Sequence, residues 1–231
     1  MEHSRAEKIL ESSEASVATG SPKISDAGFW DLVAAAKRDT KLRAKYGARI
    51  ARIDQAAFRH YALLTVPLGL GTSLMIISTG FAVALIGFAY NVEEPWNGLL
   101  LLISTGVLTV TLHGISHLAF GAAVGIRFTS WFIASLTKPQ PGIKIDYETY
   151  LATPALSRAR MHAAGAIATK LIPFLMLGAA WGMDAPIWSY IVLTVAGIFM
   201  VFTDIAWSVN SSDWKRYQRE MGYAREPIDP R

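Results

Sequence analysis

The chain has 231 residues, 52% of them hydrophobic and 17% charged, with a positive mean hydropathy, which is too apolar for an ordinary soluble domain of this length. The formal net charge is +4, and cysteine is absent, which excludes disulfides, thiolate metal sites and cysteine nucleophiles.

Residues 1–26 are rich in Ser, Glu and Ala and carry no aromatic side chain, a composition that predicts a disordered cytoplasmic tail. Nothing in this stretch resembles a cleavable signal peptide, so the first span is expected to act as its own targeting signal. Over residues 27–60, apolar Trp30, Val33, Ile50, Ile53 and Phe58 are interleaved with Lys and Arg. That pattern predicts a basic amphipathic helix lying on a leaflet, or a plain cytosolic helical linker.

A four-span membrane domain is expected over residues 61–210. From Ala62 to Val92, and again from Pro95 to Ile126, there is no Asp, Glu, Lys or Arg. A hydrocarbon layer about 30 Å thick needs only about 20 such residues, so both stretches can span. Two later stretches, about 161–182 and 186–208, are long enough but hold one charge each, Lys170 and Asp204. With the first two spans placed at about 61–90 and 97–125, a loop over residues 126–160 remains. In it, Phe128–Leu136 is too short to span and reads as an interfacial or re-entrant piece. Lys138-Pro-Gln-Pro-Gly142 is a chain breaker, and the alternation of Ile145-Asp-Tyr-Glu-Thr-Tyr150 predicts a short strand or hairpin arm. After the last span, residues 211–231 form a C-terminal segment in which Ser211-Ser-Asp-Trp214 reads as a helix start, followed by a basic interfacial helix to Tyr223.

Charge predicts the topology. Eleven basic residues precede the first span, five lie between the second and third, five follow the fourth, and the remaining two connections carry none. The positive-inside rule then puts both termini and the long loop in the cytoplasm of a bacterial-type inner membrane. The positive charge is thereby assigned to insertion and to lipid headgroups, and nucleic acid is excluded as a partner.

The residues that bear chemistry lie in the second span. In Leu112-His-Gly-Ile-Ser-His117, His113 and His117 are four apart and so project from one helix face a turn apart. Two imidazoles at that spacing can share a zinc ion, with a third ligand drawn from another helix. Asp204 is the expected third ligand, because the second and fourth spans run in the same direction and all three residues lie at similar depth. Lys170 is an alternative partner for Asp204, and both Lys170 and His162, the latter at the start of the third span, are candidate supporting groups around the metal ligands.

This arrangement resembles the site-2 protease family of intramembrane zinc metallopeptidases, which carry His-Glu-x-x-His in a span, with Glu as general base. The matching run here is His113-Gly-Ile-Ser-His-Leu-Ala-Phe-Gly-Ala-Ala-Val-Gly-Ile-Arg127, and Ser157-Arg-Ala-Arg-Met-His-Ala-Ala-Gly165 is similar to the approach to the family's next span. The resemblance implies an all-α integral membrane fold, with a three-helix core plus one extra N-terminal span. It also implies zinc held by His113, His117 and Asp204. Gly114 stands where the family has its Glu, and the third-ligand context reads Phe202-Thr-Asp-Ile-Ala206. Zinc binding therefore carries over while peptidase activity does not, unless Asp146 or Glu148 of the loop supplies the proton acceptor. The competing readings are a non-enzymatic membrane scaffold whose His and Asp groups only pack helices, a haem protein using His117 and His162, and a transporter. The expected partners are the lipid bilayer and a membrane-protein substrate or partner.

Overall fold

The computed structural model describes residues 3–20, 24, 28–137, 140–206, 209 and 212–225. The chain divides into two compact units, one formed by Met1–Pro67, Gly121–Arg158 and Glu220–Arg231, the other by Leu68–Phe120 and Ala159–Arg219.

The first unit begins with three helices, α1 (His3–Ala18), α2 (Phe29–Arg38) and α3 (Thr40–Tyr61). The tail expected to lack structure is helical over His3–Ala18. Its few apolar residues, Ala6, Ile9, Leu10 and Val17, fall on one stripe and are buried with Leu32, Val33, Ile50 and Ile53. A composition average conceals such a stripe. Arg49 of α3 holds α1 from the solvent side, pairing with Glu7 at 2.6 Å and Glu14 at 2.7 Å. The basic segment is two helices, because the Asp39 side chain accepts from the Lys41 and Leu42 amides at 2.8 and 3.1 Å and starts α3 afresh.

A small antiparallel sheet, which a purely α reading lacks, joins β1 (Leu64–Pro67), β2 (Phe128–Ile133) and β3 (Gly142–Ile145) in that order. Leu64 pairs with Ile133, and Trp131 with Ile143. The segment expected to re-enter the membrane is thus the central strand, in keeping with its Thr, Trp, Phe and Ile content. The expected arm over 145–150 ends as a strand at Ile145. There the Asp146 side chain accepts from the Glu148 amide at 3.2 Å and opens a short helix, α6 (Tyr147–Ala152). Of the proline-containing breaker, Lys138 and Pro139 lie outside the described residues.

Among the described residues four helices are long and apolar enough to cross a membrane, and most of their length lies in the second unit: α4 (Leu68–Ala89), α5 (Trp96–Ala123), α7 (Ala155–Gly182) and α8 (Ile187–Ala206), the last counted as far as Asp204. The first starts later than expected because residues 64–67 belong to β1. Adding a Cβ at Gly98 would bring it within 2.8 Å of Pro186, so the starts of α5 and α8 lie side by side and the two helices run parallel. Asn97 donates to the Met183 carbonyl at 3.1 Å, tying the far end of α7 to the start of α5 and making α7 antiparallel to both. Leu101, Ala180 and Leu193 bury one another at that end, and Thr79 bonds Thr111 at 2.9 Å between α4 and α5. α9 (Asp213–Arg225) follows, with Asp213 in its first turn.

Candidate metal centre

Two turns of α5 and three of α7 build the site. The His113 and His117 rings meet edge to face, their centroids 4.7 Å apart. Antiparallel to them, α7 offers a ladder of acceptors. His117 Nδ1 lies 2.8 Å from the Met161 carbonyl, and His113 Nδ1 lies 2.9 Å from Thr169 Oγ1 and 3.3 Å from the Gly165 carbonyl.

These contacts settle where the ring protons sit. A carbonyl only accepts, so His117 carries its proton on Nδ1. Thr169 donates its own hydroxyl hydrogen to the Gly165 carbonyl at 2.9 Å, so its oxygen accepts from His113 Nδ1. Were a metal bound at both Nε2 atoms, these α7 acceptors would hold each ring's proton on Nδ1, the arrangement in which a second partner fixes the tautomer of a metal-ligating imidazole.

Both Nε2 atoms face one carboxylate oxygen. Asp213 Oδ2 is 3.0 Å from His117 Nε2 and 3.3 Å from His113 Nε2, and one ligand atom from each residue lies within 4.8 Å of the others. Such a convergence is held together either by a shared cation or by a proton on an imidazole Nε2. Tetrahedral zinc with bonds of about 2.0–2.1 Å spaces its ligand atoms about 3.3 Å apart, so the donor set fits. The Asp213 carboxyl is subject to burial, which would raise its pKa. The facing His117 and His162 rings outweigh this and hold it below the usual carboxylate range.

The packing depends on a glycine. A Cβ at Gly165 would stand 2.2 Å from His117 Nε2, so only the bare backbone lets the ring lie against α7. His162, also on α7 and buried, approaches the other Asp213 oxygen at 3.6 Å.

The third group is Asp213 and not Asp204. Asp204 pairs with Lys170, which also donates to the Ala166 carbonyl at 2.9 Å. Depth counted along a helix does not fix rotation about its axis, and the Asp204 face of α8 turns to the lysine. Asp213 was legible only as an acidic residue in a helical first turn, a cap signal. The expected proton acceptors Asp146 and Glu148 belong to the first unit. There Asp146 caps α6 and pairs with Arg127 at 3.1 Å, while Glu148 is exposed. His117 and His162, considered as haem ligands, both turn a nitrogen to Asp213.

No protein-family model, curated protein or solved structure matches this chain. The assignment rests on the geometry itself: a multi-span helical protein with a buried His-His-Asp cluster able to coordinate a metal ion, of the kind zinc metalloproteases use.

Proposed function

We propose that this is a zinc-binding membrane protein with a site-2-protease-like core, lacking ordinary peptidase activity because Gly114 replaces the general base. What supports the zinc is the convergence of two Nε2 atoms on one carboxylate oxygen, with both Nδ1 atoms facing acceptors on α7. Three protein ligands leave a fourth position for water, which zinc would acidify. Peptide hydrolysis also needs a group to shuttle the proton to the leaving amine, and Gly114 has no side chain to do so.

Metal analysis of the detergent-purified protein tests the reading. About one zinc per chain is expected, lost in the His113→Ala, His117→Ala double variant; a metal-free wild type under zinc-preserving conditions would end it. Gly114→Glu is expected to gain cleavage of a membrane-protein substrate if the bound water is activated.

A non-enzymatic scaffold is the second reading, favoured by the 3.0 Å separation of His117 Nε2 and Asp213, which is hydrogen-bond range should a proton take the cation's place. It predicts impaired helix assembly in the same double variant, with no metal in the wild type. In either case the basic residues place both termini in the cytoplasm of a bacterial-type inner membrane. The absence of native cysteine makes single-cysteine labelling from either side a direct check of that orientation.

A further inference from the structure

Below the cluster, within the spans, lies a groove of about 240 Å³ lined by Leu102, Gly106 and Thr109 of α5, Pro173 of α7, and Ala196 and Met200 of α8. We propose that this groove holds one hydrocarbon chain of a membrane lipid whose polar end lies at His113, His117 and Asp213. The ligand of the metal site is then an amphiphile taken from one leaflet. The inference rests on the metal reading for its polar end, while the groove stands without it.

The groove runs toward the cluster along its α5 and α7 walls. Leu102 and His113 are eleven residues apart, close to three whole helical turns, so they share a face of α5, with Gly106 and Thr109 between them. On α7, Pro173 is one turn from Thr169, which holds the His113 ring. Eleven residues at about 1.5 Å each span about 16 Å, which is half of a hydrocarbon layer about 30 Å thick and so the depth of one leaflet.

The lining selects hydrocarbon. The Thr105 hydroxyl donates to the Leu101 carbonyl and the Thr109 hydroxyl to the Thr105 carbonyl, both at 2.7 Å, and Pro173 has no N–H to offer. A peptide laid here in extended form would leave its backbone groups unpaired in a medium without water. The groove is continuous with the bilayer-facing surface, where Val192, Val195 and Phe199 are exposed, so a chain enters without crossing water. A Cβ at Gly106 would meet nothing within 4 Å, so larger side chains there grow into the groove without disturbing the backbone.

The test uses the full chain in vesicles of phosphatidylethanolamine and phosphatidylglycerol, doped with either of two photoreactive phospholipids. One carries its diazirine near the chain terminus, the other near the ester. Mass spectrometry is expected to find the first on peptides holding Leu102–Thr109 and Val192–Met200, and the second at the level of His113 and Gly165. Gly106→Leu and, independently, Ala196→Leu are expected to lower groove labelling by about tenfold, with zinc content retained. Labelling spread evenly over outward residues of α4 such as Leu74 and Ile77, or unchanged by both substitutions, would overturn the proposal. So would a transmembrane peptide that crosslinks in the groove and displaces the lipid label. Repeating the experiment on the His113→Ala, His117→Ala variant separates the two readings: terminal-chain labelling that survives without metal supports the groove even where the zinc assignment fails.

Discussion

The imidazole of His117 is held on all sides: one nitrogen by a backbone carbonyl, the other by a carboxylate, and its flank by a residue without a side chain. Gly165→Ala is therefore expected to abolish metal binding by pushing the ring off α7, a result to be read as lost zinc in a chain that still inserts. Thr169→Val keeps the shape and removes the nearer of two acceptors for His113 Nδ1, leaving the Gly165 carbonyl at 3.3 Å. Loss of such a partner lowers metal affinity by about 10–100-fold, measurable by chelator competition. Asp213→Asn exchanges an anionic ligand for a neutral one and is expected to weaken zinc at least as much, whereas Asp204→Asn leaves affinity unchanged. The histidine pair was legible because one helical turn relates the two residues. The carboxylate was not, because Asp213 reaches the pair from another helix after a connection whose path no periodicity describes.

Among the elements, α9 and α1 depart furthest from their expected surface roles. Glu220 of α9 is fully buried, where it accepts from Arg158 Nε at 2.7 Å and Tyr150 at 3.0 Å and pairs with Lys37. Burial alone would raise its carboxyl pKa, but Lys37 and Arg158 outweigh this and hold it below the ordinary glutamate value. A carboxylate whose folded pKa is depressed contributes stability above its unfolded value, near 4.5, and that contribution is lost as pH falls through the folded one. Hydrogen exchange in the last turns of α9 is thus expected to accelerate only under acid conditions. Glu220→Gln leaves two buried cations without their anion and is expected to cost about 3–5 kcal/mol, seen as the same acceleration at neutral pH. Leu10 of α1 is fully buried, and Leu10→Ala is expected to lose about 2–5 kcal/mol, the usual range for such a truncation, measured by thermal unfolding. α1 escaped a reading by composition because a helix of small and charged residues needs only a narrow apolar stripe to pack.

At the scale of the molecule, the four spans were legible because hydrocarbon imposes length and apolarity on each of them separately. The three-stranded sheet was not, since Leu64 and Ile133 are brought together from opposite sides of two spans, and pairing over such a separation leaves no local trace. The two charges in the spans answer each other: Lys170 and Asp204 form one pair, so the bilayer meets no lone charge there. Removing Lys170 alone exposes a carboxylate to the membrane at about 2.5–3.5 kcal/mol on insertion scales, while the Lys170→Met, Asp204→Leu double variant is expected to insert and resist unfolding nearly as well as the wild type. One more consequence comes from the position of the third ligand. Both histidines are in place once the second span is threaded, but the aspartate emerges from the ribosome only after the fourth has been made. The three-residue cluster can therefore be completed only once the bundle is made, and a nascent chain stalled at Ala206 would own every membrane helix and both imidazoles yet still lack the carboxylate.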